Sequence, residues 1–296
     1  MTTDSSLRFF PGFKPIRIDT GEAVINGVTA GNGPPLLLLH GWPQTHLIWH
    51  RVAPVLAKHF TVVATDLRGY GDSSNPADGV NHEGHSKRAM ARDQIAVMKA
   101  LGHERFALVG HDRGGRVGHR MALDHPHAIT RLAVLDIVPT HTVYSTVTRA
   151  LGLAYFHWFL LPQPAPLPET LLGNSIEFFL RSGPFRGLIP RAMPDEIFAE
   201  YLRCASDPAT LHAMCEDYRA AATIDLEHDQ ADLQRRIDCP TLVLWGERGA
   251  MHALYDVLST WQPRASDVRG KPLACGHWMP EEVPDDLARE LLDFLR

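Results

Sequence analysis

The 296-residue chain has no apolar run long enough to cross a membrane. Its most apolar stretches, Leu36–Leu39 and Tyr155–Leu161, fall far short of the about 18 residues a membrane helix needs. Cysteine is scarce. Cys204, Cys215, Cys239 and Cys275 form no C-x-x-C pair and match no zinc spacing, so reduced thiols without a shared role are expected. Basic charge is not in surplus: 29 Lys and Arg against 34 Asp and Glu leave a net charge of −5, a poor match for nucleic acid. The first residues, MTTDSSLRFF, lack a basic segment followed by an apolar one. No signal peptide is expected, and a cytoplasmic location is the default. No internal repeat is visible. Histidine, by contrast, is abundant at 17. His119, His125 and His127 follow no ligand spacing with a carboxylate, so surface or capping roles are expected of them.

What is present is globular: 45% hydrophobic and 21% charged residues exclude wholesale disorder. Short apolar runs recur at Leu36–Leu39, Thr61–Thr65, Phe106–Val109, Leu132–Leu135 and Thr241–Trp245. Without alternation, such runs suit buried parallel strands covered on both faces. Helical patterns lie between them, at Ser86–Leu101, Arg113–Asp124 and Asp285–Leu295. Strand and helix in alternation predict an α/β fold, a doubly wound, mostly parallel sheet. Ile16–Thr29 suits an antiparallel hairpin at its edge. From about Pro139 to Leu226 no good strand appears, and aromatics and prolines accumulate. The expected organisation is a first core part (1–138), a helical cap insertion (139–226) and a second core part (227–296).

The strongest local signal is Gly110-His111-Asp112-Arg113-Gly114, directly after one strand and directly before a helix. This is the G-x-nucleophile-x-G elbow, with Asp112 as the nucleophile. Flanking side chains would collide in so sharp a turn, hence the glycines. Leu39-His40-Gly41-Trp42-Pro43 follows the first core strand, where one oxyanion-hole amide is expected. Trp42 would supply that N–H and Arg113 the other. His277, in Ala274-Cys275-Gly276-His277-Trp278, falls in the chain order nucleophile, acid, histidine and is the expected general base. For the acid, Asp136 ends the strand Leu132–Leu135, whereas Glu247 stands beside Arg248, where a surface ion pair is simpler. Asp136 is therefore expected to orient His277. Arg113 and Arg116, three residues apart on one helix, share a face and offer two planar forks to a carboxylate.

Together these motifs resemble the haloacetate (fluoroacetate) dehalogenases of the α/β-hydrolase superfamily. The resemblance covers nearly the whole chain: HGWPQTH, ATDLRGYGDSSNP, VGHDRGGRVGHRMALDHP, VLDIVPT, YFHW, QPAPLPE, CEDYRAAATIDLEHD and ACGHWMPEE. Epoxide hydrolases and haloalkane dehalogenases share much of the scaffold but usually carry Trp after the nucleophile, where this chain has Arg113. The resemblance implies a carboxylate clamp at Arg113 and Arg116 and a halide pocket at His157, Trp158 and Tyr218. It also implies a homodimer. This chain departs from the family at Trp42, where many relatives have Phe, and in the polar stretch Asp78–His85. Relatives also often carry Asp where Gly249 stands.

The implied reaction converts haloacetate to glycolate and halide through an ester on Asp112, with no metal or organic cofactor. The expected partner is a small halocarboxylate substrate, with neither nucleic acid nor membrane involved. Two alternatives remain open at this point. An epoxide hydrolase would use the same Asp–His–Asp set with lid tyrosines drawn from Tyr144, Tyr155, Tyr201 and Tyr218. A hydrolase-fold receptor would bind a small carboxylate without turnover.

Overall fold

The computed structural model describes residues 5–189 and 191–296. The apolar runs pair into one eight-stranded sheet. In chain order the strands are β1 (Lys14–Asp19), β2 (Val24–Ala30), β3 (Pro35–Leu39), β4 (Thr61–Thr65), β5 (Phe106–His111), β6 (Ile129–Leu135), β7 (Thr241–Gly246) and β8 (Val268–Leu273). They lie side by side as β1-β2-β4-β3-β5-β6-β7-β8. From β4 to β8 all neighbours are parallel. The hairpin β1–β2 joins antiparallel at one edge. Central strands read as unbroken apolar runs because both their faces are covered; every residue of β5 and of β7 is buried.

β8 lies outside the sequence expectation. Its residues, VRGKPL, include Gly270 and Pro272, both poor strand formers, and most of its side chains are wholly or partly exposed. Only an edge position tolerates that composition, since a proline there removes no ladder bond from a buried neighbour.

The helix Lys87–Ala100 starts where Ser86 caps it, accepting from the Ala89 N–H at 3.1 Å. The last helix, Pro284–Leu295, buries Leu287, Leu291, Phe294 and Leu295 along one stripe. Between β6 and β7 the described residues hold helices and no strand, from Thr140–Ser145 to Ile224–Ala231. The helix Ile224–Ala231 runs across position 226, and Asp225 within it accepts from the Lys87 N–H at 2.9 Å. His125 does cap a helix end, and His127 is exposed. His119 departs from the expectation: it is buried, edge-on to the Trp261 ring, because its helix is covered on all sides.

Register decides where chemistry sits. Leu39 pairs with Gly110, His111 with Leu135, and Leu135 with Leu244. The carboxyl ends of β3, β5, β6 and β7 therefore lie along one rim, where open α/β sheets hold their ligands. Among the described residues, no helix is long and apolar enough to cross a membrane.

Candidate active site

Asp112 stands between β5 and the helix Arg113–Asp124, with φ 47° and ψ −114°. Asp136, just past the end of β6, also has positive φ, at 52°. Such backbone costs about 1–3 kcal/mol per residue, and the surrounding packing must hold it. Here the glycines supply that packing. A Cβ on Gly110 would strike the Gly114 carbonyl, and one on Gly114 would strike the carbonyls of Leu39 and His40. Only glycine lets the helix start press against β3 and β5.

Asp112 is buried, and its Oδ1 accepts from the Trp42 N–H at 3.0 Å. Its Oδ2 lies 4.0 Å from His277 Nε2, beyond direct hydrogen-bond reach. On the other side of the ring, His277 Nδ1–H donates to Asp136 Oδ2 at 2.5 Å. Asp136 Oδ1 in turn accepts from the Gly246 N–H at 2.8 Å. The imidazole is thus held with Nδ1 protonated and Nε2 toward Asp112. A Cβ placed on Gly249 would lie 3.4 Å from both Asp136 oxygens, so an acid at that position would compete for the same space. Glu247 lies half-exposed, 3.9 Å from Arg248.

Burial pushes the Asp112 carboxyl up, but positive charge on His277 and Arg116, with Arg113 behind them, outweighs it and holds the pKa below its ordinary value. Burial pulls His277 down, but the bond to Asp136 and the charges of Asp136 and Asp112 leave it above 6.5. Burial takes His157 down to about 3, so it is a neutral imidazole at pH 7.

The expected clamp and halide residues gather beside this set. His157 stacks on Trp42 with ring centroids 5.0 Å apart, and Tyr218 stands edge-on to both rings. The Arg116 guanidinium lies 4.5 Å from the Trp158 ring centre, and that of Arg113 lies 4.1 Å from Tyr218. Three buried donors here have no partner among the described residues: Arg113 Nη1, Arg116 Nε and Trp158 Nε1. A buried donor left unpaired costs about 1–3 kcal/mol. A cavity of about 470 Å³ opens over Asp112, lined by Trp42, Tyr155, His157, Tyr218 and His277 among others. Arg113, Arg116 and Trp158 lie behind that lining rather than in it.

Several supporting residues escaped sequence reasoning. The Asp217 carboxylate takes two bonds from Arg113, Nε at 2.8 Å and Nη2 at 2.7 Å, and also binds Lys87 and the Tyr70 hydroxyl. It stands directly before Tyr218 in CEDYRAAA, yet its partner is 104 residues away and nothing local signals the pair. Glu282 accepts from the Gly276 and Trp278 N–H groups at 2.9 and 3.1 Å and so fixes the loop that carries His277. His111 Nε2–H donates to the His277 carbonyl at 2.8 Å and steadies the same loop.

The rim position of a nucleophile elbow, a histidine and its acid defines a class, and comparison with known proteins agrees. Residues 34–284 match the family model for the alpha/beta hydrolase fold, and the chain belongs to that family of hydrolases. More narrowly, it is 48% identical over 288 residues to a fluoroacetate dehalogenase from Burkholderia sp, covering 97% of this chain and 95% of that one. A soluble epoxide hydrolase from a Corynebacterium species is 34% identical, over 92% of this chain and 96% of its own. Among solved structures, an alpha/beta hydrolase from Nostoc sp PCC 7120 matches with a TM-score of 0.94 and 56% identity, covering 97% of this chain and 99% of that one.

Proposed function

We propose that the protein hydrolyses the carbon–halogen bond of small 2-haloacids, with haloacetates as the model substrates. One observation carries this reading over its rivals: three unpaired, buried N–H donors, on Arg113, Arg116 and Trp158, stand behind the lining of the cavity that opens over an ionised Asp112. Unpaired donors suit anions, and this reaction has two, the substrate carboxylate and the departing halide.

Arg113 and Arg116 hold the carboxylate so that the α-carbon faces Asp112. Asp217 occupies one edge of Arg113 and leaves Nη1 free, so Arg113 contributes a single fixed N–H rather than a full fork. Asp112 Oδ2 attacks in line, the carbon–halogen bond breaks, and halide leaves toward N–H and O–H donors on His157, Trp158 and Tyr218. The product is an ester on Asp112. His277 Nε2 then takes a proton from a water, whose oxygen attacks the ester carbonyl. The oxyanion rests on the amides of Trp42 and Arg113. The ester bond breaks as the His277 imidazolium returns its proton to the departing alkoxide oxygen, freeing glycolate, and the restored Asp112 carboxyl gives its proton to solvent. Asp136 fixes the base and carries the charge of its imidazolium.

A second reading has its own support. Tyr155 and Tyr218 both border the cavity, as a pair of acids for an epoxide oxygen would. Tyr144 and Tyr201 serve elsewhere, donating to the Trp158 carbonyl and to Glu281. Halide release from chloroacetate and fluoroacetate, measured with ion-selective electrodes beside diol formation from styrene oxide, separates the two. Halide release with negligible diol is expected; diol with no halide would sink the proposal. The homodimer implied by the resemblance would find apolar surface at Leu171 and Phe178, exposed on the inserted helices and outside the cavity lining.

A further inference from the structure

Away from the catalytic cavity, the polar stretch after β4 meets the inserted helices across a cluster of histidines and acids. Asp78, His82 and His85 come from that stretch, His212 and Glu216 from the helix Pro208–Ala222, and Glu169 from the helix Leu167–Gly173. His212 lies between two carboxylates, with Nε2 3.2 Å from Asp78 and Nδ1 2.9 Å from Glu169. His82 Nδ1 is 2.6 Å from Glu216. One ligand atom from each of Asp78, His212 and Glu216 lies within 4.8 Å of the other two. An ion with bonds of about 2.0–2.2 Å would draw these three atoms closer together.

His85 gives an independent indication. Its ring is fully buried, and neither nitrogen has a hydrogen-bond partner among the described residues. Its Nε2 faces the cluster, 3.5 Å from Asp78 Oδ1. A buried imidazole with two unused nitrogens is a cost that ligation would remove. Charge points the same way. The carboxylates of Asp78, Glu169 and Glu216 face one guanidinium, Arg219, which bonds Glu216 and Glu169 at 2.8 and 2.7 Å. With the imidazoles of the cluster neutral, two negative charges remain, the balance that a divalent cation fits. Mixed imidazole and carboxylate donors suit zinc and its neighbours rather than calcium or magnesium.

We propose that Asp78, His212 and Glu216 bind one divalent transition-metal ion of the zinc class, with His85 Nε2 beside Asp78 at the edge of the site. The ion ties the loop after β4 to the inserted helices. None of its ligands lines the catalytic cavity. The site is structural, and it stands or falls apart from the dehalogenase reading.

The test titrates Zn²⁺ alone into the chelator-treated full-length protein, by calorimetry and by thermal unfolding. One ion per chain is expected, with a Tm that rises with Zn²⁺ concentration because the ion binds only the folded state. His212→Ala and Asp78→Asn should each weaken binding by about 100-fold or more, beyond what outer-shell changes cost. His127→Ala, an exposed histidine elsewhere, should leave it unchanged. Both altered side chains are part-exposed, at 37% and 46%, and circular dichroism verifies that each variant folds. No saturable binding, or binding that both site variants retain at full strength, would overturn the proposal.

Discussion

His277 must be neutral to take a proton from water, yet in the resting site the bond to Asp136 and the charges of Asp136 and Asp112 hold its pKa above 6.5 against the opposing pull of burial. Forming the ester removes the Asp112 charge and with it one of those causes. The His277 pKa should therefore fall between the free protein and the intermediate. Ester hydrolysis should rise with pH through a midpoint below that of the His277 imidazole titrated by NMR in the free protein. Equal midpoints would mean that Asp112 does not carry the ester. Trp158 allows a second test at this scale. Its indole N–H is buried and unpaired, and Phe keeps most of the ring. Trp158→Phe should cost about 1–3 kcal/mol where that bond serves the leaving halide, or roughly tenfold to a hundredfold in kcat/KM. Fluoroacetate should suffer more than chloroacetate, because fluoride is the poorer leaving group and depends more on its donors. Equal losses would make Trp158 a wall of the pocket and not a halide ligand.

At the level of elements, the helices Arg113–Asp124 and Pro208–Ala222 are joined through a buried charge cluster. Asp217 sits between Arg113 and Lys87, and both cations are almost wholly buried. Asp217→Asn leaves Arg113 facing a neutral amide and Lys87 with Asp225 alone. The expected loss is about 3–5 kcal/mol in urea unfolding, because a broken buried pair strands its partner. Glu247→Gln, on the half-exposed Arg248 pair, should change stability by less than about 1 kcal/mol. If Asp217→Asn is no worse than Glu247→Gln, Asp217 is not what holds Arg113. Such pairings mark the limit of legibility in the sequence. The runs Leu36–Leu39 and Thr241–Trp245 declared their strands because burial on both faces demands unbroken apolar residues. Gly110 and Gly114 declared the elbow because no other residue fits it. β8 stayed hidden because an edge strand needs neither feature. Asp217 and Glu282 stayed hidden because each acts through backbone or charge contacts that sequence spacing does not encode. The roles proposed for His157, Trp158 and Tyr218 came from resemblance alone, since an aromatic core would look the same.

The whole molecule carries an uncommon burden of buried neutral imidazoles. Burial lowers the pKa of His40, and takes His111, His119 and His157 to about 3. Once unfolded, each returns to about 6.5. Below that pH the unfolded chain binds more protons than the native one, so stability falls as pH drops. Each such histidine contributes a slope of about 1.4 kcal/mol per pH unit at full effect. Glu281 opposes them: burial raises it to about 8, so it binds a proton in the fold that the unfolded chain releases above about 4.5. The histidines outnumber it, and urea unfolding should show stability falling steeply from pH 6.5 to pH 5. A flat profile there would mean that these imidazoles are charged or hydrated in the fold.

The ester on Asp112 is the claim on which the proposed chemistry depends, and one measurement reaches it directly. In His277→Ala the nucleophile, the guanidinium groups and the halide donors are intact, while the base that releases the product is gone. Mixed with chloroacetate and digested, this variant should yield a carboxymethyl ester on the peptide that contains Asp112, detected by mass spectrometry, with one halide released per chain and no further turnover. An unmodified Asp112 peptide, or continued turnover at the wild-type rate, would contradict the mechanism.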